Sequence, residues 1–203
     1  MSGASDSGRE GGKQPNDPPA FTQDVQLSNV SARVPDRTAR GVFCTGVLVL
    51  QTQTEFVLDF VQRLTRPHQV TARVVAPIAL MPQLIAALRD NLEIYRRNFG
   101  PPPALPTPPP PVKPPSIEEI YDQLKITDDV LSGAYANAAL LTHSASEFCF
   151  DFVTNFYPKA AVSARVFLSA AQAPVLLSSF VQTWQKYEAS HQQPPKPPAA
   201  RAE

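Results

Sequence analysis

Asp59 and Arg73 recur as Asp151 and Arg165, and they are the one charged pair that the chain repeats in a form able to build a polar site. A carboxylate held against a guanidinium can orient a ligand or hold an acid in one protonation state. The spacing has a simpler reading. If the strands carrying these residues form hairpins centred near Arg66 and Pro158, Asp59 falls opposite Arg73 and Asp151 opposite Arg165, all on one face. The same register sets Phe60 beside Ala72 and Leu58 beside Val74 on the other face. A partly exposed cross-strand ion pair contributes roughly 0.2–1 kcal/mol and fixes register. With their outward neighbours Val75 and Phe167, the four charged residues define a candidate interaction face rather than a catalytic one.

The remaining reactive residues offer less. Glu55 and Glu147 each precede an Asp by four positions, which along a strand is roughly 13 Å, too far to share a water. The three histidines are not repeated: His68 aligns with Ala160 and His143 with Gln51. Cys44 aligns with Ala136 and Cys149 with Val57, so neither thiol belongs to a duplicated site. No phosphate loop, nucleophile elbow or zinc-binding helix motif occurs. The expectation is therefore no catalytic residue, no metal site and no cofactor.

The elements that position the Asp–Arg pairs follow from an internal repeat. At an offset of 92, Thr54-Glu55-Phe56-Val57-Leu58-Asp59-Phe60-Val61 lies over Ser146-Glu147-Phe148-Cys149-Phe150-Asp151-Phe152-Val153. The register holds without a gap from Asp36/Asp128 and Gly41/Gly133 to Pro82/Pro174, Leu84/Leu176 and Tyr95/Tyr187. About a quarter of positions between 32 and 96 are identical. Each copy reads as three strands and a helix. Phe43 to Gln51, and Tyr135 to Thr142, are apolar on both alternating sets, as a strand covered on both faces requires. The second strand turns Phe56, Leu58 and Phe60 inward, or Phe148, Phe150 and Phe152. The third turns Val70, Ala72 and Val74 inward, or Val162, Ala164 and Val166. A helix follows, entered near Ile78 to Pro82, with Leu84, Ile85, Leu88, Leu92 and Tyr95 on one stripe and Gly100 as its stop. Its duplicate carries Leu176, Leu177, Phe180, Trp184 and Tyr187.

The predicted organisation is a disordered tail over residues 1–31, a first βββα repeat over 32–100, and a linker over 101–115 with ten prolines in fifteen positions. A second repeat over 116–189 and a disordered tail over 190–203 complete it. A single unit of this size has a marginal core. The expected fold is α+β: two antiparallel three-stranded meanders, each with a C-terminal helix, packed as an intramolecular pseudo-dimer of six strands and two helices.

On these motifs the chain resembles the domain family of unknown function DUF3467. The family pattern has a Tyr-Ala-Asn strand, a Glu-Phe-x-Leu-Asp-Phe strand, an Arg-Val strand ending in Ser-Pro, and a helix ending in Tyr-Glu-x-x-Phe-Gly. The second copy supplies Tyr135-Ala136-Asn137, Glu147-Phe148, Asp151-Phe152, Arg165-Val166, Ser169 and Tyr187-Glu188. The first supplies Glu55 to Phe60 unbroken, Arg73-Val74, Tyr95 and Phe99-Gly100. Phe43-Cys44-Thr45 replaces the Tyr-Ala-Asn triplet in copy one, Ala170 replaces the proline in copy two, and Pro82 and Pro174 stand where the resemblance implies a lysine. The resemblance implies the fold and, the family's activity being unassigned, no function.

Composition narrows the function classes. Eighteen basic and eighteen acidic side chains cancel, so no net field draws the protein to nucleic acid or an anionic membrane. The longest apolar run, Gly41 to Leu50, is half of what a bilayer span needs, and two cysteines fit a reducing compartment. A cytoplasmic, pseudo-symmetric monomer with no membrane association is expected. Its expected function is a non-catalytic protein-interaction or scaffolding module whose partner is another protein. The alternative is a nucleic-acid-associated accessory factor, on the strength of Arg89, Arg96 and Arg97, which share their helix face with Asp90 and Glu93. Phe167 and Cys149 make the second copy's outward face the more apolar, and the partner is expected there.

Overall fold

The computed structural model describes residues 25–26, 32–106, 115–156 and 159–191. The short lead-in to the first copy comprises β1 (Val25–Gln26), α1 (Asp36–Ala39) and β2 (Val42–Phe43). The meander follows as β3 (Gly46–Gln51), β4 (Glu55–Gln62) and β5 (His68–Pro77), and helix α2 (Leu80–Phe99) closes the copy. The second copy opens differently, with α3 (Ile117–Tyr121) and β6 (Leu124–Lys125), and then repeats the order from α1 onward as α4 (Asp128–Leu131), β7 (Ala134–Tyr135), β8 (Ala138–His143), β9 (Glu147–Thr154), β10 (Ala161–Ser169) and α5 (Ala173–His191).

The meander register follows the side-chain alternation. Asp59 lies opposite Arg73, Phe60 opposite Ala72 and Leu58 opposite Val74, and in the second copy Asp151 lies opposite Arg165. Phe56, Leu58, Phe60, Phe148, Phe150 and Phe152 are all fully buried, which is why a one-residue slip is forbidden: it would turn every aromatic ring to the opposite face. Each helix accepts its proline in the first turn, where the missing N–H has no intrahelical partner to lose. Gly100, at φ +83°, ends α2.

The structure corrects the first strand of each copy. Instead of one strand from Phe43 to Gln51, the chain pairs at Val42–Phe43, breaks at Cys44–Thr45 and resumes at Gly46. The reason is an exchange between copies. Strand β2 pairs in parallel with β10 of the second copy, Val42 against Val166 and Phe43 against Phe167. Strand β7 pairs in parallel with β5 of the first, Ala134 against Val74 and Tyr135 against Val75. These contacts are related by the offset of 92, as are the Lys125–Gln69 pairing and the Arg33–Ala161 bridge. The result is two mixed five-stranded sheets in place of six strands in all: one ordered β1-β8-β9-β10-β2, the other β3-β4-β5-β6 with β7 also on β5.

The core is shared. Phe60 of one sheet meets Phe152 of the other with ring centroids 5.5 Å apart. The helices touch each other and reach across, α2 against β8 and α5 against β3. Tyr95 accordingly packs on Phe148 at 5.5 Å, and its duplicate Tyr187 packs on Phe56 at 5.9 Å. Neither copy covers its apolar faces alone.

The domain limits shift at two points. Val25–Gln26, assigned by sequence to a disordered tail, pair antiparallel with Leu141 and Leu140 of β8. Helix α5 runs to His191, past the expected boundary at 189. The rest of both expected tails, and residues 107–114 of the proline-rich linker, lie outside the described residues. No described helix is long and apolar enough to cross a membrane.

Candidate functional site

The repeated Asp–Arg pairs lie where the two copies join. Arg73 donates from Nε and Nη2 to the two carboxylate oxygens of Asp59, both at 2.7 Å, and from Nη1 to the carbonyl of Leu131 at 3.0 Å. Arg165 repeats this with Asp151 at 2.6 and 2.7 Å and with the carbonyl of Ala39 at 3.2 Å. Leu131 and Ala39 are the last residues of α4 and α1, whose terminal carbonyls lack an intrahelical donor. Each guanidinium therefore links its own hairpin to the lead-in helix of the other copy. Hydrogen bonds to the carboxylates raise both arginine pKa values above their ordinary value.

Two glycines permit the crossing. Gly41 and Gly133, at φ +62° and +74°, follow α1 and α4 and turn the chain into β2 and β7. A Cβ on Gly41 would sit 2.5 Å from the Phe167 ring, and one on Gly133 would sit 2.9 Å from the Arg73 stem. The lead-in segments thus lie directly over the outward side chains of the opposite copy. Of the six residues of the candidate face, Asp59 is fully buried, while Arg73, Val75, Asp151, Arg165 and Phe167 are half-buried.

The two pairs are not equivalent. The hydroxyl of Tyr121, the last residue of α3, donates a short hydrogen bond to Asp59, and burial together with the neighbouring carboxylate raises its pKa. Asp151 has Cys149 Sγ at 3.8 Å instead and keeps 15 % of its side chain exposed. Sequence reasoning missed Tyr121 because its helix lies ahead of the stretch in which the copies align.

Between the pairs lies a cavity of about 270 Å³ on the pseudo-two-fold axis. Its lining is made of equivalent positions: Gly41 with Gly133, Val42 with Ala134, Thr71 with Ser163, Ala72 with Ala164, Arg73 with Arg165, Arg37 with Asp129 and Thr38 with Val130. Arg73 and Arg165 in it are engaged, and the hydroxyls of Thr71 and Ser163 donate to the carbonyls of Phe60 and Phe152 at 3.2 and 3.1 Å. Arg37 and Asp129 bring opposite charges, so no field of one sign converges on the cavity.

The other candidate residues have local roles. Glu55 accepts from the hydroxyls of Thr52 and Thr54 at 2.9 and 2.7 Å, which lowers its pKa, and Glu147 accepts from Ser144 at 2.9 Å. Both hold the tip of a hairpin. Burial pushes the Cys44 and Cys149 thiols up to about 12, leaving them protonated and poor nucleophiles. Among the described residues no group of three His, Cys, Asp or Glu side chains could hold a metal ion.

One buried polar pair has no duplicate. Asn91 of α2 donates to the carbonyl of Leu141 at 3.4 Å and accepts from Nδ1 of His143 at 2.5 Å. That geometry assigns the Nδ1–H tautomer, and burial lowers the pKa of His143. Asn91 was legible as a polar residue on the apolar stripe, between Leu88 and Tyr95 at helical spacing.

A family model described as a protein of unknown function (DUF3467) matches residues 8–104 and again 106–193. No curated protein and no solved structure matches the chain.

Proposed function

Because the chain belongs to the DUF3467 family, whose description assigns no activity, we propose from its own geometry that it acts as a non-catalytic protein-interaction or scaffolding module. The observation that carries this reading is the use made of the repeated Asp–Arg pairs. Every carboxylate oxygen in them accepts from an arginine, and each guanidinium also holds a carbonyl of the opposite copy. The most polar repeated feature thus serves the joint between the copies, and the chain invests its symmetry in shape rather than in reacting groups. The partner is another protein.

The test uses the full chain as bait in an extract of its own cells, eluted over a salt series. A protein recovered in fixed ratio and retained at moderate salt is expected, unaffected by changing Arg96 and Arg97 to alanine. Both arginines are exposed on α2, together with Arg89, Asp90 and Glu93. Recovery of nucleic acid that falls steeply with salt and with those two changes would overturn the reading in favour of a nucleic-acid accessory role.

A further inference from the structure

We infer that the outer edge of β3, with the adjoining side of α5, is a docking slot for an extended apolar segment of a partner protein, added antiparallel as one more strand. The inference rests on the interaction-module reading and deepens it. The molecule supplies its own template. At the equivalent place in the other sheet, the edge strand β8 is paired antiparallel by β1, Val25 opposite Leu141 and Gln26 opposite Leu140, and β1 lies against α2. The offset of 92 carries Leu140–Leu141 onto Leu48–Val49 and α2 onto α5. It carries β1 onto Ile117–Glu118, and there the symmetry fails, because those residues open α3 instead. Among the described residues, the outer edge of β3 has no strand beside it.

Three further observations fit an added strand. Gly46–Gln51 contains no charge and no proline, the devices by which exposed edges discourage pairing. Helix α5 leaves Leu177, Trp184 and Tyr187 half-buried where the equivalent Ile85, Leu92 and Tyr95 of α2 are buried. Between the start of β3 and the first turns of α5 runs a groove of about 470 Å³, lined in part by Val47, Leu168, Val175 and Leu176 and by Leu105 and Pro106 of the linker, with Val175 50 % and Leu105 38 % exposed. The one charged side chain lining that groove is Arg63, whose guanidinium approaches Gly46 and which has no ion-pair partner among the described residues. A strand antiparallel to β3 brings its C-terminal end to Gly46. The segment that fits is therefore extended, alternates apolar residues towards α5, and carries a carboxylate at its C-terminal end.

The chain's single tryptophan, Trp184, lies on α5 against Phe56 and Tyr187, so its fluorescence reads changes in the cover of that helix. The probe is a synthetic peptide of residues 21–31, the stretch that contains β1, titrated into the full chain. A saturable blue shift of Trp184 fluorescence is expected, with slowed amide exchange along β3. Binding should weaken at least tenfold in Leu50→Lys and in Val175→Glu, each checked for an unchanged melting transition. A peptide with proline in place of Val25 should not bind. The inference falls if millimolar peptide gives no saturable change, or if both variants bind as the parent does. It also falls if β3 amides are already protected in the free monomer, or become protected only as the chain dimerises, because the occupant is then this chain itself. Capture of a protein partner that Leu50→Lys leaves intact would retain the module reading and remove the slot, whereas peptide docking with no partner recovered would do the reverse.

Discussion

Helices α2 and α5 occupy equivalent places, yet α2 buries nine side chains and α5 three, so the two halves of one duplicated fold are sealed unequally. The residues that the copies repeat make corresponding contacts: Asp59 and Asp151 hold the arginine of their own hairpin, Arg73 and Arg165 reach a carbonyl of the opposite copy, Gly41 and Gly133 lie against the opposite copy, and the rings of Tyr95 and Tyr187 pack on Phe148 and Phe56. A large difference lies in the stretches that lead into each copy. In the first, that stretch supplies β1 and caps the edge of β8. In the second, it supplies α3 and places Tyr121 on Asp59. One stretch closes a sheet edge and the other closes a polar pair. A symmetric homodimer could do only one of these, on both sides at once.

The largest test of this comparison is at the aspartates. Asp59→Ala strands a mostly buried arginine and removes the acceptor of Tyr121, whereas Asp151→Ala leaves Arg165 more open to water, its side chain 22 % exposed against 16 % for Arg73. Loss of one partner from a buried pair costs about 3–5 kcal/mol, and less as water reaches the group left behind. Urea unfolding should therefore show the greater loss for Asp59→Ala, which also removes the acceptor of Tyr121, with unchanged slope. Equal losses would mean that α3 contributes nothing to the difference between the halves.

The symmetric part of the fold was legible and the asymmetric part was not, for a physical reason. Alternation of Phe56, Leu58 and Phe60 with Glu55, Val57 and Asp59 fixes which face is buried, so the hairpin register and the Asp–Arg pairing are legible in the sequence alone. The parallel exchange of β2 and β7 could not. Val42–Phe43 and Ala134–Tyr135 are two-residue pairings with no period of their own, and their destination is set by Gly41 and Gly133 turning the chain over the other copy. A run apolar on both faces was read as one covered strand, when it is two strands serving different sheets. Tyr121 and β1 lie outside the aligned stretch, where no repeat points to them.

A second asymmetry is the buried polar pair on the α2 side, and pH addresses it. His143 is 3 % exposed and faces Asn91, Tyr95, Phe99 and Phe148, none of them charged in neutral solution. Burial lowers its folded pKa below the ordinary 6.5, so the unfolded chain binds the proton more readily. The sign follows: the contribution is fully present above about pH 6.5 and is lost as pH falls towards the folded pKa, at up to about 1.4 kcal/mol per pH unit for one proton. His143→Gln, which installs the residue found at the equivalent Gln51, should flatten the stability profile below about pH 6.5. An unchanged profile would show that His143 is not what makes this half acid-sensitive.

The smallest test sets the two equivalent tyrosines against each other. The hydroxyl of Tyr95 donates to the carbonyl of Ala145 at 2.8 Å, at the tip of the β8–β9 hairpin, and its side chain is 3 % exposed. Tyr187 is half-buried, and among the described residues its hydroxyl has no protein partner. Replacing either by phenylalanine keeps the ring on its partner, Phe148 or Phe56, and removes only the hydroxyl. Tyr95→Phe leaves a carbonyl without its donor and should cost about 0.5–1.5 kcal/mol, with faster amide exchange at the hairpin tip. Tyr187→Phe should lie within a few tenths of zero (~0.3 kcal/mol), since it breaks no hydrogen bond among the described residues. The contrast isolates one hydrogen bond at positions that the repeat makes otherwise alike. Losses of the same size would place the extra order of the α2 side in its apolar cover, in β1 and the stripe beneath it, and not in the polar contacts that α2 makes across the joint.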